Sequence, residues 1–361
     1  MLRDHSPSAI SWIGTVQAAL TLIVGVAAGP LFDRGYFFAV LITASIGLVF
    51  SFMMLSLATQ YWHVMLCQGL LAGICTGMLY IPSIAQIPQY FSTKFGTALG
   101  LVLSGASIGG IVYPYLFKKL LPSVGFGWAC RSMGFLALGL LAISVVLVKP
   151  LRLPNPPKKI FDRSLFKNVF YTSFILGAFF QFVGIMIPYF DAATFWWAKF
   201  DHDIDSAFYT LLIVNAGNFF GRIGLTAITD YAIAYQVGAE GLIVLSSLAC
   251  VILGFCWISI SSHASYYAFL VLWGFFSGGA ASLPAIMMRS IVTRRDVFAT
   301  SLGIIYGAAG VGVLIGAPIA NSGGSTNFLP AQLCTGIASF LGMICGVITA
   351  VGARRNRMAA K

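Results

Sequence analysis

The chain has 361 residues, 59% hydrophobic and only 9% charged, with a mean hydropathy of +0.91, whereas soluble domains carry about 25% charged residues. A surface this poor in charge excludes a soluble globular enzyme and makes lipid the solvent for most of the chain. The net charge of +11 does not indicate nucleic acid, because the 21 Lys and Arg lie mostly between apolar runs and form no basic face.

A helix needs about 20 apolar residues to cross the hydrocarbon core. Runs of that kind occupy 8–29, 37–58, 62–85, 97–117, 127–148, 169–190, 207–229, 236–258, 265–288, 299–320 and 329–351. They are too long and too unbroken for barrel strands, so the expectation is an all-α membrane protein with eleven transmembrane helices. The first run is longer than the apolar core of a secretory signal and lacks its basic approach, and reads as a retained span. The seven cysteines fall inside apolar stretches without metal-ligand spacing and read as buried hydrophobes.

After the first run comes Gly29-Pro-Leu-Phe-Asp33-Arg34-Gly35. An acid and a base at a helix end can hold two helix termini together and release them, because surface pairs contribute only about 0–1 kcal/mol. The same pair also reads as a solvated turn that only sets orientation. Further on, small residues recur as Gly105, Gly109 and Gly110, then as Gly303, Gly307, Gly310, Gly312 and Gly316. These suit either ordinary close helix packing or a seam along which helices slide.

Residues 149–168 contain Pro150, Pro154, Pro156, Pro157, Lys158 and Lys159, too polar to insert and too rich in proline for a helix. This is the expected cytoplasmic linker between an N-terminal bundle of five spans, 1–148, and a C-terminal bundle of six, 169–361. Across it, Leu99-Gly100 and Gly109 reappear as Leu302-Gly303 and Gly312, and Gly69 and Gly73 as Gly274 and Gly278. Repeated halves of this size suggest a transporter with its substrate site near the midplane.

Arg222 is the most informative single residue. A guanidinium inside a span costs at least about 2.5 kcal/mol on insertion scales unless it has a pathway or a partner. Asn215, Asn218 and Arg222 follow helical spacing and share one face, a polar stripe whose planar guanidinium fork suits a carboxylate. The competing reading is snorkelling to the cytoplasmic face. Arg131 and Glu240, close to their run starts, read as snorkelling. Gln181, Tyr80, Tyr113 and Tyr306 add hydrogen-bonding groups that serve either a cavity or a neighbouring helix.

Lys and Arg accumulate in cytoplasmic loops. One alternate set of loops holds Arg34, Lys94, the basic residues of 149–167, Arg289, Arg294, Arg295 and those of 354–361; the opposite set holds only Arg3, Lys118, Lys119 and Lys199. The C-terminus is therefore expected in the cytoplasm and the N-terminus outside. Among scattered His5, His63, His202 and His263 no metal spacing occurs, and no nucleotide-binding loop or Ser-His-Asp pattern can be argued. No cofactor, no metal, no nucleic acid and no enzyme activity are expected; a protein partner stays unspecified.

The Gly29–Gly35 segment resembles the pattern that the major facilitator superfamily carries between its second and third helices. Tyr90-Phe91-Ser92-Thr93-Lys94, Ala98-Leu99-Gly100 and Ser104-Gly105-Ala106-Ser107-Ile108-Gly109-Gly110 resemble the approach to the fifth helix of monocarboxylate transporters, particularly the fungal branch. Ser6 to Gly14 is similar to the start of that branch's second helix. The resemblance implies a two-bundle transporter fold (5 + 6) lacking the family's first helix, with gating residues Gly29, Asp33, Arg34 and Lys94. It places Arg222 at the eighth-helix arginine that some members use for substrate and proton coupling, with Asn218 where those members have an acid. The expectation is a secondary carrier of small organic anions in the plasma membrane, working by alternating access, with protons as a second partner. Its substrate site would draw on Arg222, Asn218, Asn215, Gln181, Tyr80 and Tyr306. The alternatives are a non-transporting receptor of transporter fold and an inactive fragment or incomplete gene model.

Overall fold

The computed structural model describes residues 7–149, 151, 165–200, 202–234, 239–291, 297–320 and 327–359. Most of the expected linker, 149–168, lies outside them. Among the described residues every regular element is helical: α1 (Pro7–Ile23), α2 (Gly25–Asp33), α3 (Phe37–Leu55), α4 (Tyr61–Val64), α5 (Gly73–Tyr90), α6 (Phe95–Leu147), α7 (Val169–Ile185), α8 (Ile187–Lys199), α9 (Ile204–Ala234), α10 (Glu240–Cys256), α11 (His263–Ile291), α12 (Phe298–Ala320) and α13 (Leu329–Ala359). A π-helical stretch, Met65–Ala72, joins α4 to α5.

Ten continuous helical stretches among the described residues are long and apolar enough to cross a membrane. The fourth, α6, is 53 residues long and holds both runs 97–117 and 127–148. It is broken at Gly125, whose φ of 75° and ψ of 172° no helix contains and which glycine adopts without steric cost. The described part of each of the eleven apolar runs is thus essentially helical, with two runs in one element.

At one boundary the helix runs further than the hydropathy. The sequence ends the sixth run at residue 190, whereas the helical span extends from Val169 to Lys199. α7 starts under an Asn168 cap that accepts from the Phe170 N–H at 3.0 Å. It gives way to α8 at Met186, where Pro188, lacking an N–H, fits the first turn of a new helix. The continuation brings Asp191 inside the span.

The structure divides into two compact units, one drawn from 1–90, 112–160 and 294–310, the other from 91–111, 161–293 and 311–361. In the first, Ile13, Leu55, Val64, Cys130 and Met133 form an apolar core, and Arg131 donates from Nε to Ser56 Oγ at 3.1 Å rather than reaching out of the bundle alone. The core of the second is aromatic: Phe195 lies 5.5 Å from Trp257 and 4.9 Å from Tyr266, centroid to centroid, and Phe269 5.7 Å from Trp273. The cysteines are unpaired, and the described residues hold no cluster of metal-ligating side chains.

The repeated glycines mark where helices touch backbone to backbone. A Cβ on Gly77 of α5 would stand 2.7 Å from the Leu20 carbonyl oxygen of α1, and one on Gly274 of α11 only 2.2 Å from that of Val214 on α9. Gly73 lies against Gln17, and its sequence counterpart Gly278 against Asn218. The match continues one turn on, where the first unit has Thr21, hydrogen bonded to Thr76 at 2.7 Å, and the second has Arg222.

Candidate functional site

The α9–α11 contact sets the geometry of the polar cluster. Because Gly217, Gly221 and Gly274 carry no side chains, the two backbones approach to distances that a Cβ would forbid; one on Gly221 would meet the Phe275 carbonyl at 1.9 Å. Ser277 of α11 and Asn218 and Arg222 of α9 are thereby brought into one layer.

Asn218, almost fully buried, is the hub. Its Oδ1 accepts from Arg222 Nε at 2.6 Å and from Ser107 Oγ at 2.7 Å. Its Nδ2 donates to the Tyr189 hydroxyl of α8 at 2.6 Å. That hydroxyl lies 2.9 Å from Ser277 Oγ, and Ser277 donates to the Gly274 carbonyl at 3.2 Å. An oxygen facing the guanidinium must accept, so the amide nitrogen donates to Tyr189; with the Ser277 proton given to Gly274, the phenol proton is the one between Tyr189 and Ser277.

The chain fixes Arg222 without neutralising it. Its Nε is held by a neutral amide, while Nη1 is buried and has no hydrogen-bond partner. A buried guanidinium edge with donors to spare is the half-site that a carboxylate or another planar anion completes with two parallel hydrogen bonds.

Of the sequence candidates, Arg222 and Asn218 come together. Asn215, half-buried one turn away, donates to the Leu211 carbonyl at 2.8 Å and lies where a Cβ on Gly110 would approach to 2.4 Å. Gln181 stands apart, packed against Gly342 of α13 with both its polar atoms unpartnered. Tyr80 and Tyr306 meet each other edge to face at 5.4 Å within the first unit. Ser107, Tyr189 and Ser277 are additions. Each lies on a different element from Arg222, where helical spacing in the sequence gives no signal; of the glycines at this contact only Gly274 belongs to the repeat seen in the sequence.

The residues expected to gate have a distinct geometry. Asp33, 2% exposed, caps the start of α12 in the first unit, accepting from the backbone N–H of Ala299 at 3.3 Å and of Thr300 at 2.8 Å, and from Thr300 Oγ1 at 2.6 Å. Gly29 makes room for this, since a Cβ there would stand 2.4 Å from the Ala299 carbonyl oxygen, and Gly35 turns the chain with a φ of 88°. In the second unit Asp230 caps the start of α6 in the same way, through Gly96 N–H at 2.7 Å, Thr97 N–H at 2.8 Å and Thr97 Oγ1 at 2.7 Å. Each carboxylate faces the positive end of a helix dipole. Arg34 and Lys94 are exposed at the flanking helix ends.

The family model of the Major Facilitator Superfamily matches residues 1–317. The chain belongs to that superfamily. It is 37% identical over 88% of its length to 70% of the MFS-type transporter dbaD of Emericella nidulans (strain FGSC A4). The Aspyridones efflux protein apdF of the same organism is 33% identical over 98% of the chain and 71% of that relative. The Agnestins efflux protein AgnL12 of Paecilomyces divaricatus is 30% identical over 88% of the chain and 72% of that protein. The superfamily fold is shared with the human organic anion transporter MFSD10 (TETRAN), at a TM-score of 0.69 and 15% identity over 94% of this chain and 83% of that one. The protein is thus an integral, multi-pass membrane protein of a transporter family and not an enzyme.

Proposed function

We propose that the protein carries small organic anions across the membrane by alternating access, with Arg222 as the anion-binding group. The observation that supports this is the guanidinium held at Nε by Asn218 with its Nη1 buried and unpartnered. A snorkelling arginine would place its terminal nitrogens in headgroups or water, so burial of Nη1 favours the site reading. Tyr189 and Ser277 fix the amide that holds the arginine, so the site is preorganised before substrate arrives. The printed names of two relatives, efflux proteins for aspyridones and agnestins, favour export and a substrate other than a simple monocarboxylate.

On this reading Asp33 and Asp230 act at the gates. Each holds a helix start by charge-assisted bonds that rocking can break and re-form, while Arg34 and Lys94 keep those ends on the cytoplasmic side of the plasma membrane. The bundles 1–148 and 169–361 are the moving halves. The receptor alternative predicts binding without flux. Uptake of a labelled panel of organic acids into proteoliposomes separates the two: saturable uptake by the wild type, absent in Arg222→Ala at equal reconstitution, is the expected result. Unchanged uptake by Arg222→Ala removes the proposed role.

A further inference from the structure

The helical span Tyr61–Tyr90 is started by a histidine. His63 Nδ1 accepts from the backbone N–H of Thr59 at 3.2 Å and of Gln60 at 3.3 Å, and the Thr59 hydroxyl stands 3.3 Å from the same nitrogen. Gln60, extended at φ −127° and ψ 159°, precedes the first turn, and its N–H is the one that a third helical residue, usually Glu or Gln, reaches back to satisfy. The same turn holds two further ties. Trp62 packs its ring 4.0 Å from the imidazole, centroid to centroid, and donates from Nε1 to Gln60 Oε1; Tyr61 donates to the Ala9 carbonyl of α1 at 2.8 Å.

A backbone N–H can only donate, so an imidazole nitrogen that faces two of them carries no proton, and the ring is the neutral tautomer protonated at Nε2. A second proton has only Nδ1 to go to. There it leaves the Thr59 and Gln60 N–H groups without their acceptor and sets a cation at the start of a helix, where the dipole is positive. The surrounding elements do not offset that charge. α1 and α3 carry no titratable side chain, and the charged residues of α6 are all cations, Lys118, Lys119 and Arg131, the last bonded to Ser56. The core below the turn adds only the neutral Tyr61, Cys67, Tyr113 and Cys130. The one acid in residues 7–149 is Asp33, which ends the span that Ala9 begins and is bonded to the start of α12.

We propose that His63 is an acid-released clasp. While the ring is neutral it caps the span and keeps Tyr61 on α1; when Nδ1 takes a proton, the first turn, Tyr61–Val64, opens and that tie is lost. Histidine is the side chain that changes charge between about pH 5 and 8, so the proton concentration on the side of the membrane that residues 56–60 face regulates how firmly α1 and this span are joined. The N–H bond at Nδ1 is the one covalent bond made or broken, and its proton comes from and returns to water on that side. The clasp stands independently of the anion site at Arg222.

The test uses the full chain in detergent micelles, as wild type, His63→Gln and His63→Ala. Hydrogen exchange of residues 57–66 is read at about pH 8 and about pH 5, the ends of the histidine range, and corrected for the intrinsic pH dependence of amide exchange. Loss of a cap changes a helix-opening equilibrium about two- to thirtyfold, and the wild type is expected to lose protection by a factor in that range at the acid end. His63→Gln, with an acceptor that does not titrate, should stay protected at both ends, and His63→Ala should be unprotected at both. Equal protection of the wild type at the two ends, or an equal loss in His63→Gln, overturns the proposal. Nitrogen NMR of a chain whose other histidines, His5, His202 and His263, are replaced by glutamine gives a second reading with His63 intact: a neutral ring protonated at Nε2 is expected, and one protonated at Nδ1 overturns the proposal.

Discussion

On the proposed reading, the neutral amide beside Arg222 keeps its guanidinium available to a substrate anion. A carboxylate at position 218 would form an ion pair with the guanidinium and occupy the edge that a substrate anion needs, whereas Asn218 orients Nε and leaves the charge unspent. Asn218→Asp is therefore expected to weaken anion transport at neutral pH and to restore it as pH falls, when the introduced acid takes a proton and again resembles an amide. Transport rising toward low pH in the variant, but not in the parent, is the readout. Arg222→Lys keeps the charge but loses the planar fork. Loss of one charge-assisted hydrogen bond, about 1.5–3 kcal/mol, corresponds to a KM for the anion roughly tenfold to a hundredfold higher. Tyr189→Phe removes the acceptor for Asn218 Nδ2 and leaves a buried amide unpaired, so it should act in the same direction through the arginine's orientation, with the charge itself intact.

At the scale of elements, the glycines divide into those that hold helices together and those that do not. A methyl group on Gly221 would meet the Phe275 carbonyl at 1.9 Å, while one on Gly105 meets nothing within 4 Å. Gly221→Ala must push α9 from α11 and is expected to cost about 1–3 kcal/mol as overpacking does; Gly105→Ala should be neutral or stabilise by about 0.5–1 kcal/mol through helix propensity. Melting of the detergent-solubilised variants orders them. The same contrast explains what was legible in the sequence. Asn218 and Arg222 are one turn apart on a single helix, so spacing alone paired them, and of the repeated glycines Gly73, Gly274 and Gly278 stand at close contacts with a neighbouring backbone, whereas Gly69 does not. Ser107, Tyr189 and Ser277 reach the cluster from three other elements, and nothing in a linear pattern says which helix faces which. The placement of Asp191 within a span was hidden for another reason: hydropathy stops at Phe190, but a helix is ended by backbone geometry, and α8 continues to Lys199. For Asp33 the pattern identified the position, but its bonds run to the backbone of Ala299 and Thr300, which sequence spacing does not reveal.

For the whole molecule, the proposed topology follows from alternation: if each long apolar helix crosses the membrane once, alternate loops share a side, and the charges then choose the side. α6 is the informative case. Its two runs are joined near Lys118, Lys119 and the break at Gly125, so one helical element would cross, turn and return. The basic pair at that turn is opposed by the larger set of Lys and Arg at alternate helix ends, including Arg34 and Lys94, and retention of the larger set in the cytoplasm requires the turn to lie outside. Single cysteines at Lys119 and Lys199, introduced after replacing exposed Cys256 with serine, should react with a membrane-impermeant maleimide on intact cells. Cysteines at Arg34, Lys94 or Arg354 should react only after permeabilisation. Labelling of Arg34 and Lys119 positions from the same side would contradict the crossing of the intervening helices and with it the assignment of the C-terminus to the cytoplasm.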